Sequence, residues 1–131
     1  MRILSITAQK PHSTGSGVYL TETVCGFKEL GHTQAVIAGV TREDSVKLPE
    51  GVRFYPVYYN SPELPFPVCG MSDEMPYEST RYRYMKPDMV DKFEAAFGST
   101  VLRAVKEFRP DVVICHHLYL LAAIVREKLP D

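Results

Sequence analysis

Residues 10 to 22 read KPHSTGSGVYLTE, and only Gln9 separates them from the apolar run RILSITA at residues 2 to 8. That run has the length of a strand. Beyond the small residues, Leu20, Val24, Phe27 and Leu30 recur at helical spacing, and Gly31 supplies a natural stop. A strand that hands over to a helix through Ser13, Thr14, Gly15, Ser16 and Gly17 exposes backbone N–H groups at a helix N-terminus. Such a turn receives an anion through hydrogen bonds and the helix dipole. It is equally compatible with a glycine bend that holds no ligand. Two specific phosphate motifs are absent. Gly15-Ser16-Gly17-Val18-Tyr19 is followed by Leu20, so the third glycine of a dinucleotide fingerprint is missing, and no acidic residue closes the next strand. The Gly-Lys-Ser/Thr ending of a Walker A loop is missing too. These departures argue against a hydride-transferring nucleotide enzyme.

Outward from this turn the period keeps switching. TQAVIAGV, residues 33 to 40, reads as a second strand. GVRFYPVYY, residues 51 to 59, reads as a third, with Pro56 placing it at a sheet edge or a strand end. Residues 60–87 then break the rhythm. Five of the ten prolines fall there without any apolar period, yet Phe66, Tyr77, Tyr82 and Tyr84 argue against plain disorder. Val90, Phe93, Phe97, Val101, Ala104 and Phe108 restore helical spacing, with Asp88 as an expected N-cap and Pro110 as the stop. DVVIC at 111–115 has the continuous apolar character of a buried parallel strand, and LYLLAAIVREKL at 118–129 closes as a helix with basic residues in its last turn. Strand–helix alternation of this kind predicts an α/β domain: a Rossmann-like, three-layer arrangement with a mostly parallel sheet.

Composition narrows the function classes. The chain has 131 residues, 45% hydrophobic and 24% charged, enough for one domain with its own core. Fifteen basic residues against sixteen acidic ones give a net charge of -1, and no Lys/Arg cluster tracks a phosphate backbone, so a nucleic-acid partner is not expected. No apolar run is long enough for a transmembrane segment, and no signal peptide precedes the first strand. Cys25, Cys69 and Cys115 are an odd number at no metal-binding spacing, which fits reduced thiols and a cytoplasmic location.

Ligands of parallel sheets bind outside the carboxyl ends of the strands. Two segments fall there: the turn after the first strand, and HHLY after the fourth. Cys115, His116 and His117 could hint at a metal, but adjacent side chains leave a strand end in different directions and no second Cys/His pair stands at ligand spacing. A histidine at the end of a strand is better placed as a base or a hydrogen-bond donor. Acidic residues at the end of strand one, which a receiver domain needs to hold a metal, are replaced by Thr7, Ala8 and Gln9.

STGSGVYLTETVCGFKELGH, residues 13 to 32, resembles the opening signature of family 4 glycosyltransferases of the GT-B fold. Ser16-Gly17-Val18 stands for that family's Gly-Gly-Val, and Gly31-His32 for its Gly-His. RPDVVICHHLYLLAA, from Arg109 to Ala123, is similar to the family's PDVVHAHH segment, Asp111 matching the aspartate and His116 the histidine. The likeness runs from Met1 to about Leu129, with 60–87 least typical.

The resemblance implies transfer of a sugar from a nucleotide-sugar donor to an acceptor, with retention and without a metal or other cofactor. In that family the N-terminal Rossmann-like domain binds acceptor, and a second one carries most of the nucleotide site. By this likeness the amides around Gly15, Ser16 and Gly17 face the donor's diphosphate, and His116 contacts the sugar and stabilises developing charge. His117, Tyr77, Arg81 and Arg83 are further candidates for substrate binding, the last three as part of an acceptor-shaping loop at 60–87. The chain is then expected to be the N-terminal part of a larger transferase, inactive alone and prone to self-association. The alternative is a stand-alone α/β domain for nucleotide binding or interaction.

Overall fold

The computed structural model describes all residues from Met1 to Asp131. Four strands, β1 (Arg2–Thr7), β2 (Thr33–Val40), β3 (Arg53–Tyr58) and β6 (Val112–Cys115), form an all-parallel sheet in the order β3-β2-β1-β6. Between β3 and β6 lie two-residue strands β4 (Cys69–Gly70) and β5 (Thr80–Arg81), paired only with each other, and a short 3-10 turn at Tyr82–Tyr84. The helices are α1 (Gly15–Glu29), α2 (Pro87–Phe108) and α3 (Leu120–Lys128). The expected Rossmann-like α/β sandwich is therefore the fold.

Alternation along β2 divides the two faces. Val36, Ala38 and Val40 pack with Leu20 and Val24 of α1, under a lid of Val46, Leu48 and Val52 from the connection to β3. Ala35 and Ile37 join Leu4, Ile6, Tyr55 and Val57 on the other face, under α2 and α3. Phe93, Phe97, Val101, Ala104 and Phe108 recur at three- and four-residue steps on α2 and are all essentially inaccessible. Burying each aromatic removes its ring from water, a gain of about 1.5–3 kcal/mol per side chain.

Segment 60–87 is ordered, and it builds core as well as surface. Leu64, Phe66, Val68 and Cys69 lie in the same cluster as the α2 phenylalanines. Pro56 does sit on an edge strand, opposite Ala38 of β2.

Three expectations need correction. Asp88 does not cap α2: the N-cap is Lys86, Pro87 starts the helix, and Asp88 lies in the first turn, where its charge complements the dipole. DVVIC is not a buried strand. β6 is the other edge of the sheet, Val112 is 37% exposed, and Val113, Ile114 and Cys115 are only half-buried. A groove of about 560 Å³ between α2, β6 and α3, lined by Val113, Cys115, Leu118 and Val125 among others, accounts for that exposure. The last helix starts at Leu120 rather than Leu118, because the chain turns through a left-handed His117 (φ 73°) before it can coil again.

The junction between α2 and β6 is tied to the first strand. Arg2 donates from Nε to the carbonyl of Phe108 at 2.7 Å, and its guanidinium lies 4.5 Å over the Phe108 ring. A cation thereby closes the negative end of α2. Asp111 accepts from the backbone N–H of Arg2 at 2.7 Å while its own N–H donates to the Arg2 carbonyl. Its place ahead of β6 therefore has a structural use. Arg109 caps α2 in the left-handed region at φ 52°, a conformation that suits glycine. Arg109→Gly is expected to raise stability by about 0.5–1 kcal/mol, read as a higher urea midpoint at unchanged slope.

Candidate functional site

The β1–α1 turn is held by its own side chains. Thr14 is the N-cap, its Oγ1 accepting from the Gly17 N–H at 3.3 Å and its carbonyl from Val18 N–H at 2.8 Å. The amides of Gly15 and Ser16 make no hydrogen bond and remain as free donors at the positive end of α1. Gly17 is required by crowding: a Cβ there would stand 2.8 Å from the Lys10 carbonyl oxygen and 2.9 Å from the His12 nitrogen. At Gly15 a Cβ would meet nothing within 4 Å. The two glycines flanking Ser16 thus play different parts. One lets the loop fold back on the helix, and the other leaves the approach to the helix end open.

Beneath the turn lies Gln9, only 3% exposed and not anticipated as a site residue. Its Nε2 donates to Ser16 Oγ and, at 3.4 Å, to Thr14 Oγ1, whereas its Oε1 is buried without a partner. Beside it Lys10 pairs with Asp44 at 2.9 Å and stands 4.7 Å over the Tyr77 ring. Asp44 also accepts from the N–H and hydroxyl of Thr41. Burial pushes its pKa up, but the Thr41 backbone and the Lys10 ammonium outweigh that and hold it below the usual carboxylate range. The Lys10 ammonium is therefore engaged by Asp44, and the amides of Gly15 and Ser16 are left as free donors beside it.

β6 brings the second half. The His116 N–H extends the ladder by bonding to the Ile6 carbonyl at 2.9 Å, which sets the imidazole at the strand end. Its Nε2 is buried and unpartnered, and the ring meets Tyr19 of α1 edge-on at 6.0 Å between centroids. Burial, and secondarily the neighbouring His117, lowers the pKa of His116; burial alone lowers that of His117. Both rings are neutral near pH 7, which makes His116 a hydrogen-bond donor or acceptor rather than a fixed cation.

Gly15, Ser16, Gly17 and His116 therefore lie together at the carboxyl ends of β1 and β6, linked through Tyr19. Tyr77 reaches the same end of the sheet through Lys10, and its buried hydroxyl has no partner. Arg81 and Arg83 are engaged elsewhere: both bind Asp73 within their own loop and line a cavity of about 190 Å³ with Tyr82 and Tyr119. The Tyr82 ring lies 4.7 Å from that of Tyr119, so the loop runs past the HHLY segment as well as past Lys10. Gln9, Lys10, Asp44 and Tyr19 were missed for one reason. Each is ordinary in its local sequence and acquires a role only through a neighbour from another element.

No group of three or more His, Cys, Asp or Glu side chains is placed to hold a metal ion, and the three cysteines are unpaired. No helix is long and apolar enough to cross a membrane. Compared with protein-family models and with curated proteins, the chain matches none.

Two measurements check this geometry. Gly17→Ala should cost about 1–3 kcal/mol, because both atoms that its methyl group meets are backbone and the loop must move. Gly15→Ala, in open space at the first helical position, should be neutral or slightly stabilising; equal losses at both sites would show that the loop is not crowded at Gly17. Secondly, the imidazole resonances of His116 and His117 should titrate below 6.5. The unfolded chain then binds more protons than the folded one just below that value, so stability falls as pH drops through about 6.5 toward the lower folded pKa. His116→Gln should flatten that slope in urea unfolding between pH 7 and 5.

Proposed function

We propose that this chain is the acceptor-side domain of a nucleotide-sugar-dependent glycosyltransferase, and that it works together with a second Rossmann-like domain. The observation that carries the reading is the edge-on contact between Tyr19 of α1 and the half-buried His116, whose Nε2 has no partner. The likeness of residues 13–32 and 109–123 to family 4 glycosyltransferases supports it from the sequence side. The free amides of Gly15 and Ser16 would face the donor's diphosphate. Neutral His116 would meet the transferring sugar and stabilise charge that develops as the bond to the leaving phosphate lengthens, a role for a positioned dipole rather than a base. Tyr77 and the loop of residues 60–87 would border the acceptor.

Energetics indicate why a second domain is needed. An exposed helix-dipole interaction contributes about 0.3–1 kcal/mol, whereas millimolar binding already requires about 4 kcal/mol. The amides at Gly15 and Ser16 can orient a diphosphate but cannot retain a nucleotide sugar. The apolar groove beside β6 offers surface for further packing.

Calorimetric titration of the 131-residue chain with UDP-, GDP- and ADP-sugars should show no binding tighter than about millimolar. Micromolar binding of any donor would put the nucleotide site in this domain and end the reading. In the two-domain enzyme, His116→Ala should lower turnover by about 10²-fold or more, and His117→Ala by less. The reverse ranking would transfer the role to His117.

A further inference from the structure

Two cavities of opposite character meet at one pair of rings. Tyr82 and Tyr119 stand edge to face at 4.7 Å between centroids, and both residues line each cavity. On one side a space of about 190 Å³ is bounded by Arg81, Arg83 and Asp73. On the other a space of about 340 Å³ is bounded, beyond the two tyrosines, by apolar side chains alone, Met85 and Leu120 among them. Charge in the first cavity is unbalanced, because two guanidinium groups face one carboxylate. Arg83 binds Asp73 Oδ2 directly, whereas Arg81 Nε stays 4.0 Å from Oδ1 and its terminal nitrogen donates to the Asp73 backbone carbonyl at 3.1 Å. Both arginines and Asp73 are exposed, and exposed ion pairs of this kind add little to stability. Asp73 thus occupies the space between two guanidinium groups without burial to keep it there. A phosphate brings more charge and more acceptor oxygens to the same place, and arginine binds it in two-pronged geometry.

We propose that Asp73 holds the place of an external anion, and that these joined cavities bind a phosphate monoester carrying an apolar chain. The phosphate displaces the Asp73 carboxylate from between Arg81 and Arg83, and the chain crosses the Tyr82–Tyr119 pair into the apolar cavity. Inorganic phosphate fills one half of this surface and a neutral alcohol the other; only an amphipathic phosphate fills both. The site adjoins the HHLY segment through Tyr119, three positions beyond His116. The inference deepens the functional reading by naming the chemistry of an acceptor, and it rests on that reading for the acceptor role alone. Binding is measured without donor or transfer, so either can fail while the other stands.

The test is titration of the chain with hexyl phosphate, inorganic phosphate and hexanol, read from the backbone amide resonances of Asp73, Arg81 and Tyr119. Hexyl phosphate should bind at least about tenfold more tightly than either of the other two, since burial of about two methylenes is already worth that much. Equal affinities for hexyl phosphate and inorganic phosphate would overturn the proposal, because the rings would then contribute nothing. Arg81→Gln and Arg83→Gln should each weaken hexyl phosphate by about tenfold, the effect of one lost charge-assisted bond, and leave hexanol unchanged. Asp73→Asn decides the role of the carboxylate: hexyl phosphate should bind about threefold more tightly once the competing charge is gone, the scale of an exposed ion pair. Glu74→Gln removes the same charge one residue further on, outside the cavity lining, and should change affinity by less. An equal gain in these two variants would reduce the effect to general electrostatics and overturn the proposal, as would no gain in Asp73→Asn. Absence of shifts in the parent chain up to about 10 mM hexyl phosphate, above the millimolar range, would overturn it too. All four substituted positions are exposed, so the variants keep the fold on which the comparison depends.

Discussion

The hydroxyl of Tyr59 reaches the carbonyl oxygen of Ala8 at 2.7 Å, with the ring passing through the space that Gly39 leaves by having no side chain. A Cβ at Gly39 would stand 2.4 Å from both the Ala8 carbonyl oxygen and a Tyr59 ring carbon. One buried phenol therefore joins the end of β1, the end of β2 and the start of the long segment that follows β3. Its ring also packs against Phe66 and Phe97, which brings α2 into the same unit. Desolvation raises the Tyr59 pKa well above its ordinary value, so the phenol stays a donor throughout the accessible pH range.

From that anchor the carboxyl end of the sheet takes its shape. With Ala8 fixed, Gln9 and Lys10 must leave β1 toward the α1 turn, where the absence of a side chain at Gly17 leaves room for the Lys10 carbonyl, which a Cβ would meet at 2.8 Å. Lys10 then finds Asp44 from the β2–β3 connection and the ring of Tyr77 from the irregular segment. Three loops that are far apart in sequence are held around one strand end by contacts that are partly buried, where a charge pair is worth more than on an open surface. The closing of strand two by Gly39 and Val40 has the same cause. Any side chain at position 39, acidic or not, would run into the Tyr59 ring.

The irregular segment combines two functions that are usually separate. Leu64, Phe66, Val68 and Cys69 fill core beneath α2, while Tyr77 meets Lys10 and Tyr82 meets Tyr119 near the strand ends. A loop anchored by its own buried apolar residues can present polar groups without losing their placement. Thr80 strengthens the anchor by donating to the Pro67 carbonyl across the β4–β5 bridge. Arg81 and Arg83 show the limit of reading such a segment from composition: both are exposed, and both are engaged by Asp73 from the same loop.

What the sequence determined by itself is the order of the main strands and helices and the position of the glycine-containing turn at the head of α1. Both rest on short-range rules. The three- and four-residue recurrence of Phe93, Phe97, Val101 and Ala104 can be satisfied only by a helix with one buried face. Gly31 adopts φ 81° just past the end of α1, as a stop at that position requires. The apolar run DVVIC, by contrast, reads the same whether its strand is central or at an edge, because local composition does not record how many neighbours a strand will have. Only the tertiary structure decided that β6 is an edge, that Lys10 is engaged by a residue 34 positions away, and that Gln9 lies under Ser16. Each of those facts depends on chain segments meeting after the sheet has formed, and no local pattern of residues encodes that meeting.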